Sequence, residues 1–263
     1  MRVKCVIFDW AGTAVDFGSH APLAAFLDLF AHHGVPANAN LVRRFMGSHK
    51  RDHIRLLLAD PAFQAEWMRH NSLPPNLDEL YAEFIPLQKA AISRHADVID
   101  GVPQVMEELR RRGVKTGSTT GYVREMMDTL QAEAARGGFA PDAVVCSDEV
   151  PAGRPAPWMA LRAAMLVNAW PISGCVKVGD TVADIDEGRN AGMWTVAVTK
   201  TGNEIGLSET ETAALPAPDL EKRLEAARHK FVRAGAHYVI DSVADFVPVL
   251  DDIEARLEVG ARP

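Results

Sequence analysis

The feature that most constrains this chain is a short, β-branched apolar run that keeps returning along it. It occurs at Val3 to Phe8, Val114 to Thr119, Ala143 to Cys146, Cys175 to Val178, Thr195 to Val198 and His237 to Ile240. Runs of that length without apolar/polar alternation read as strands buried on both faces. Helical patterns separate them, over Pro103 to Arg112, Tyr122 to Arg136, Trp158 to Leu166 and Asp184 to Ala191. Strands alternating with helices predict an α/β fold: a Rossmann-like parallel sheet covered on both faces. Ligands in such folds gather at the carboxyl ends of the strands.

One stretch breaks the alternation. From Ser19 to Asp100 there are helical patterns, over Pro22 to His33, Ala39 to Ala59, Pro61 to His70 and Leu77 to Ala96, and no convincing strand. The turn-rich Asp100-Gly101-Val102-Pro103 marks the return to the sheet. The expected organisation is core over residues 1–18, an all-helical cap insert over 19–100 and the remaining core over 101–263. An insert over the catalytic edge of a sheet is placed to act as a lid.

The net charge of −7 disfavours nucleic acid and anionic membranes as partners, since both call for basic surface. No apolar run reaches the roughly 18 residues that a spanning helix needs. The N-terminus begins with a strand pattern rather than a charged leader. Cys5, Cys146 and Cys175 are far apart and form no C-x-x-C pair, so they read as buried small hydrophobes in a reducing cytoplasm.

Four motifs carry chemistry. Phe8-Asp9-Trp10-Ala11-Gly12-Thr13 follows the first strand directly. An acid there points at the site edge, where it can ligate a hard cation and attack phosphorus, or simply cap the following turn. Thr116 to Tyr122 (TGSTTGY) offers hydroxyls and amides between a strand and a helix, suited to a phosphate or to ordinary capping. Arg154, in Gly153-Arg154-Pro155, is either a surface cation or a neutraliser of phosphoryl charge. Val178-Gly179-Asp180-Thr181 with Asp184 adds two carboxylates, and capping explains one of them more easily than both.

In this order the four motifs resemble the haloacid dehalogenase-like hydrolases, with the helical insert in the position of that superfamily's cap. The resemblance implies that Asp9 is the nucleophile, Thr120 a phosphate ligand and Arg154 the phosphate-stabilising cation. It also implies that Asp9, the Ala11 carbonyl and Asp180 hold Mg²⁺, with Asp184 supporting the acidic cluster.

Ala11 does not fit the ordinary phosphatase. Most phosphatases of the superfamily carry an Asp there, which protonates the departing alkoxide. Alanine transfers no proton, so another acid or another leaving group is required. Cleaving a carbon–phosphorus bond fits, provided that a lysine Schiff base to a neighbouring carbonyl delocalises the departing electrons. The insert holds two lysines, Lys50 and Lys89. Lys50 lies in Met46-Gly47-Ser48-His49-Lys50-Arg51-Asp52-His53, where helical spacing places Met46, Lys50 and His53 on one face; a solvated lysine is the plainer alternative.

The blocks around Asp9 and Lys50, with Gly117 to Met126, Pro151 to Met159, Lys177 to Asp184 and Glu187 to Thr195, look like the phosphonoacetaldehyde hydrolase family. The match runs from near residue 3 to about 245, with departures at Ala14 and Ser19, where the family often has Thr and Cys. The resemblance implies a small phosphonate substrate, a Schiff base on Lys50, and phosphoryl oxygens held by Arg154, Thr120 and the Gly121 amide. It further implies site-lining roles for Tyr122 and Met46, a proton-shuttle role for His53 titrating near neutrality, and a homodimer through the cap. Two rival readings remain: a phosphomonoesterase or phosphomutase of the same superfamily, and an inactive binding protein on the same scaffold.

Overall fold

The computed structural model describes residues 2–263. In chain order the elements are β1 (Cys5–Phe8), α1 (His20–His32), α2 (Ala39–Arg43), α3 (Lys50–Ala59), α4 (Pro61–His70), α5 (Leu77–Ile92) and α6 (Val102–Arg112). There follow β2 (Lys115–Thr120), α7 (Arg124–Arg136), β3 (Ala143–Cys146), α8 (Trp158–Leu166), β4 (Cys175–Gly179), α9 (Val182–Asn190) and β5 (Trp194–Val198). The last are α10 (Glu209–Ala214), α11 (Ala217–Ala234), β6 (Tyr238–Ile240) and α12 (Phe246–Glu258).

The strands form a six-stranded sheet in the order β3-β2-β1-β4-β5-β6, and every pairing is parallel. The α/β, Rossmann-like expectation is met. β1 is central, and all four of its residues are buried, as a strand covered on both faces requires. Strand order reverses at β1, which pairs with β2 on one side and β4 on the other. The crevice at that switch point is where an open α/β sheet binds its ligand. Asp9, Thr120 and Asp180 all lie there, at or just past the ends of β1, β2 and β4.

Helices α1 to α5 occupy the whole interval between β1 and α6. They bury an apolar interior of their own, in which Phe26 packs on Phe84 at 4.4 Å and Phe30 on Phe63 at 4.6 Å between ring centroids. The two linkers to this segment are paired with each other. Val15 and Val98 form an antiparallel bridge, Asp16 N–H donates to the Asp97 carbonyl at 3.0 Å, and Ile99 N–H donates to the Ala14 carbonyl at 3.0 Å. Asp16 also starts α1: its carboxylate accepts from His20 N–H at 3.0 Å and Ala21 N–H at 2.9 Å.

One expected element is corrected. The single helix over Ala39 to Ala59 is two helices, α2 and α3, separated by a turn over residues 44–49. Gly47 in that turn has φ +85°, a conformation a continuous helix excludes. Met46 therefore sits in the turn rather than on a helical face shared with Lys50 and His53. No helix among the described residues is long and apolar enough to cross a membrane.

Candidate active site

Asp9 leaves β1 with its N–H bonded to the Val178 carbonyl at 2.9 Å, which fixes the strand exit against β4. Its Oδ1 accepts from Arg154 Nη2 at 2.7 Å. Its other oxygen accepts no hydrogen bond from the described residues. Asp180, just past β4, is held by a donated bond from Asn203 N–H at 2.8 Å. Asp9, Asp180 and Asp184 bring carboxylate oxygens within 4.8 Å of one another, all buried.

Arg154 is fully buried and spreads over this cluster. Nε donates to Glu187 Oε2 at 2.9 Å, Nη1 lies 3.1 Å from Asp184 Oδ1, and Nη2 also donates to the Thr119 carbonyl and hydroxyl, each at 2.8 Å. Lys177, buried on β4, donates to Asp184 Oδ1 at 2.7 Å and lies 3.6 Å from Glu187 Oε2. Asp184 is thus occupied on both oxygens, since Oδ2 accepts from the Thr181 hydroxyl at 2.5 Å.

The electrostatics follow from burial and crowding. Burial, then Asp9 and Asp184, drive the Asp180 carboxyl well above the usual range. Burial and Asp184 likewise push Asp9 up, against the pull of Arg154. Burial would also raise Asp184, but Arg154 and Lys177 outweigh it and hold that group low. Four buried carboxylates, Asp9, Asp180, Asp184 and Glu187, outnumber the buried cations Arg154, Lys177 and Lys50. The surplus of negative charge, the all-oxygen donor set and the free Asp9 oxygen together suit a hard divalent cation.

Lys50 opens α3 and is 3 % exposed, yet its amine forms no hydrogen bond or ion pair among the described residues. The amine sits 5.1 Å from the centroid of the Tyr122 ring and 5.9 Å from that of Phe26. Burial, helped by Arg154 and opposed by Asp9 and Asp180, lowers its pKa to about 8. Burial also raises the Tyr122 hydroxyl well above its ordinary value.

All the residues singled out in the sequence except His53 and Asp184 line one cleft: Asp9, Ala11, Met46, Lys50, Thr120, Gly121, Tyr122, Arg154 and Asp180. Its free space is about 20 Å³, room for roughly one water. The turn before α3 seals it. A Cβ on Gly121 would lie 2.5 Å from the Ser48 carbonyl oxygen, and one on Gly47 would lie 2.5 Å from Thr181 Oγ1. Only glycine permits both approaches.

His53 departs from expectation. It is fully buried behind Lys50, its Nε2 is 2.9 Å from the Val42 carbonyl, and its Nδ1 has no partner. Burial and the neighbouring Lys50 hold it well below the pKa of a free imidazole, so it does not titrate near neutrality. Lys177, Glu187 and Thr119 were not anticipated. A charge inside the apolar run Cys175 to Val178 was the available signal for Lys177. The helical spacing of Glu187 from Asp184 was the signal for Glu187.

Comparison with known proteins agrees with this geometry. Residues 3–192 match the family model described as haloacid dehalogenase-like hydrolase, and residues 151–246 match a second, similar one. The chain is 46% identical over 259 residues to the phosphonoacetaldehyde hydrolase of Bacillus cytotoxicus, covering 97% of this chain and 98% of that one. It is 46% identical over 264 residues to that of Nitratidesulfovibrio vulgaris, covering 99% and 94%. A phosphonoacetaldehyde hydrolase-like protein from Oleispira antarctica has the same structure, with a TM-score of 0.98 at 38% identity over 100% of this chain and 96% of that one. The chain belongs to the phosphonoacetaldehyde hydrolase family of haloacid dehalogenase-like hydrolases.

Proposed function

We propose that this hydrolase cleaves the carbon–phosphorus bond of phosphonoacetaldehyde to acetaldehyde and phosphate, through an imine on Lys50 and an aspartyl phosphate on Asp9. The observation that carries the reading is a buried, unpaired lysine amine in the same cleft as Ala11. The cleft holds an electron sink for a carbon leaving group and lacks the acid that an alkoxide needs. The names of the Bacillus and Nitratidesulfovibrio relatives support the same substrate.

In this mechanism neutral Lys50 adds to the aldehyde and expels water, giving an imine that is then protonated. Asp9 attacks phosphorus, and the carbon–phosphorus electron pair passes into the iminium to form an enamine. One water hydrolyses the aspartyl phosphate. The enamine takes a proton on carbon, and a second water releases acetaldehyde and Lys50, so one water is consumed overall. Arg154, the Thr120 hydroxyl and the Gly121 amide hold the phosphoryl oxygens, while Tyr122 and Met46 pack around the chain of the substrate. His53 keeps Nδ1 available as a hydrogen-bond acceptor one helical turn from Lys50.

Mg²⁺ is the proposed cation, held by Asp9, Asp180 and the Ala11 carbonyl with Asp184 beside them; when bound it neutralises charge on the phosphoryl oxygens. Chelation is expected to lower phosphate release by on the order of 10³-fold or more, with recovery on adding Mg²⁺. Activity that persists after exhaustive chelation would remove the metal from the scheme.

The imine step has its own signature. Lys50 must lose its proton, so the initial rate of borohydride trapping with substrate is expected to rise through pH about 8 and level above it. Because the folded pKa lies below the unfolded one, the unfolded chain binds more protons between these values, and stability rises with pH there. A trapping limb near the ordinary lysine value would mean that burial does not activate the amine.

The remaining parts of the proposal are a cap formed by residues 19–100, a cytoplasmic location and a homodimer through that cap, whose Met68 and Leu73 are exposed. Phosphate release from phosphonoacetaldehyde tests the activity directly. Turnover of sugar phosphates in its place would favour the phosphomonoesterase or phosphomutase reading.

A further inference from the structure

Arg43 ends α2, but its side chain reaches out of the helical segment. Nη1 donates to the Gly18 carbonyl at 3.0 Å, the Ser19 carbonyl at 3.4 Å and Asn203 Oδ1 at 3.1 Å, and Nη2 donates to the Gly206 carbonyl at 3.0 Å. Asn203 answers with Nδ2, which donates to the Arg43 carbonyl at 3.1 Å. The two residues therefore clasp each other through side chain and main chain together. Gly206 lies flat on the guanidinium, where a Cβ would come within 2.7 Å of Arg43 Cζ.

The other end of this clasp is the acidic cluster. Asn203 is 4 % exposed, and its N–H is the donor that holds Asp180 Oδ2 at 2.8 Å. The same loop is anchored to the exit of β1: Thr201 Oγ1 donates to the Gly12 carbonyl at 2.8 Å, and Gly18 N–H donates to the Thr201 carbonyl at 2.7 Å. A continuous set of hydrogen bonds thus runs from the helical segment that carries Met46, Gly47 and Lys50 to one oxygen of Asp180. Charge-assisted bonds from a guanidinium are the stronger members of such a set.

We propose that Arg43 and Asn203 are positioning residues that tie the orientation of Asp180 to the seating of the helical segment, so that the divalent cation is held at full strength only when Lys50 is over the cleft. This deepens the proposed function and rests on its assignment of Asp180 to the cation. Linkage is reciprocal, so the cation in turn favours the seated segment.

Mg²⁺ binding to the full-length protein without substrate, read by isothermal titration calorimetry, tests the clasp. Arg43→Gln and Asn203→Ala are each expected to weaken Mg²⁺ affinity by about 5- to 20-fold. The double variant is expected to be no weaker than the worse single one, because the two act as one connection. Arg43→Lys, which keeps the charge and reaches some of the same carbonyls, is expected to recover part of the loss and serves where Arg43→Gln does not fold by circular dichroism. Affinity within twofold of wild type in the single variants, or losses that multiply in the double, would overturn the proposal. So would a lowered melting temperature with unchanged Mg²⁺ affinity, which is what a merely structural role predicts. Asp180→Asn in the same titration separates the two layers. If it binds Mg²⁺ as wild type does, the metal assignment falls and the clasp's role falls with it; if it loses binding while Arg43→Gln does not, the clasp alone is wrong.

Discussion

Lys50→Ala is expected to abolish phosphate release from phosphonoacetaldehyde, by on the order of 10⁴-fold or more, with the fold retained. Without the imine, the group leaving phosphorus is a carbanion with nowhere to put its electrons, and no other side chain in the cleft replaces that sink. The only other lysine of the helical segment, Lys89, is paired with Glu125 at 3.0 Å on the surface. Because Lys50 is buried and makes no polar contact, removing its amine leaves no partner orphaned. A near-normal melting temperature is therefore expected beside the lost activity. Borohydride with substrate should mark Lys50 in the wild-type protein and nothing in the variant. An adduct mapped to another residue, or turnover that survives the substitution, would sink the Schiff-base reading and favour a phosphomonoesterase.

Asp9→Asn is expected to stop phosphate release by a comparable factor, again on the order of 10⁴-fold or more, while leaving borohydride trapping at Lys50 intact. The two steps come apart because the imine forms on the helical segment and the attack comes from the sheet. Asp9 favours the protonated form of Lys50, so its removal lowers the amine pKa further and does not impede condensation at neutral pH. The same substitution removes one of three crowded carboxylates, so the metal-free variant is expected to melt at or above the wild-type temperature. Loss of trapping together with loss of phosphate release would show that Asp9 acts in the imine step and not as the nucleophile.

Much of this was legible in the sequence, for physical reasons that differ by region. Strands buried on both faces write continuous apolar runs, so the run Ala143–Cys146 coincides with β3 and the other runs match their strands to within a residue or two. Residues at the ends of those strands, Asp9, Thr120 and Asp180, inherit their position from the parallel sheet itself. Lys50 stands out in the sequence because Ala11 leaves a chemical gap that a lysine would fill, and the structure brings the two into one cleft. The break between α2 and α3 is not legible in the local pattern. Gly47 sits among residues that otherwise favour a helix, and the close approach that excludes a side chain there is to Thr181, far away in the chain. Spacing places His53 on the helix of Lys50 but does not report its depth of burial, which lowers its pKa. Asn203 and Arg43 make their contacts across the fold, which no local pattern encodes.

The two linkers of the helical segment run side by side, bridged at Val15 and Val98. A segment that leaves and rejoins the sheet at one doorway leaves the order of the strands untouched. Its size and composition can then drift over generations while the carboxylates beneath keep their places. In the proposed mechanism the sheet provides attack on phosphorus and the segment covering it decides which atom departs, so a different chemistry on this scaffold would need no new fold, only a different roof.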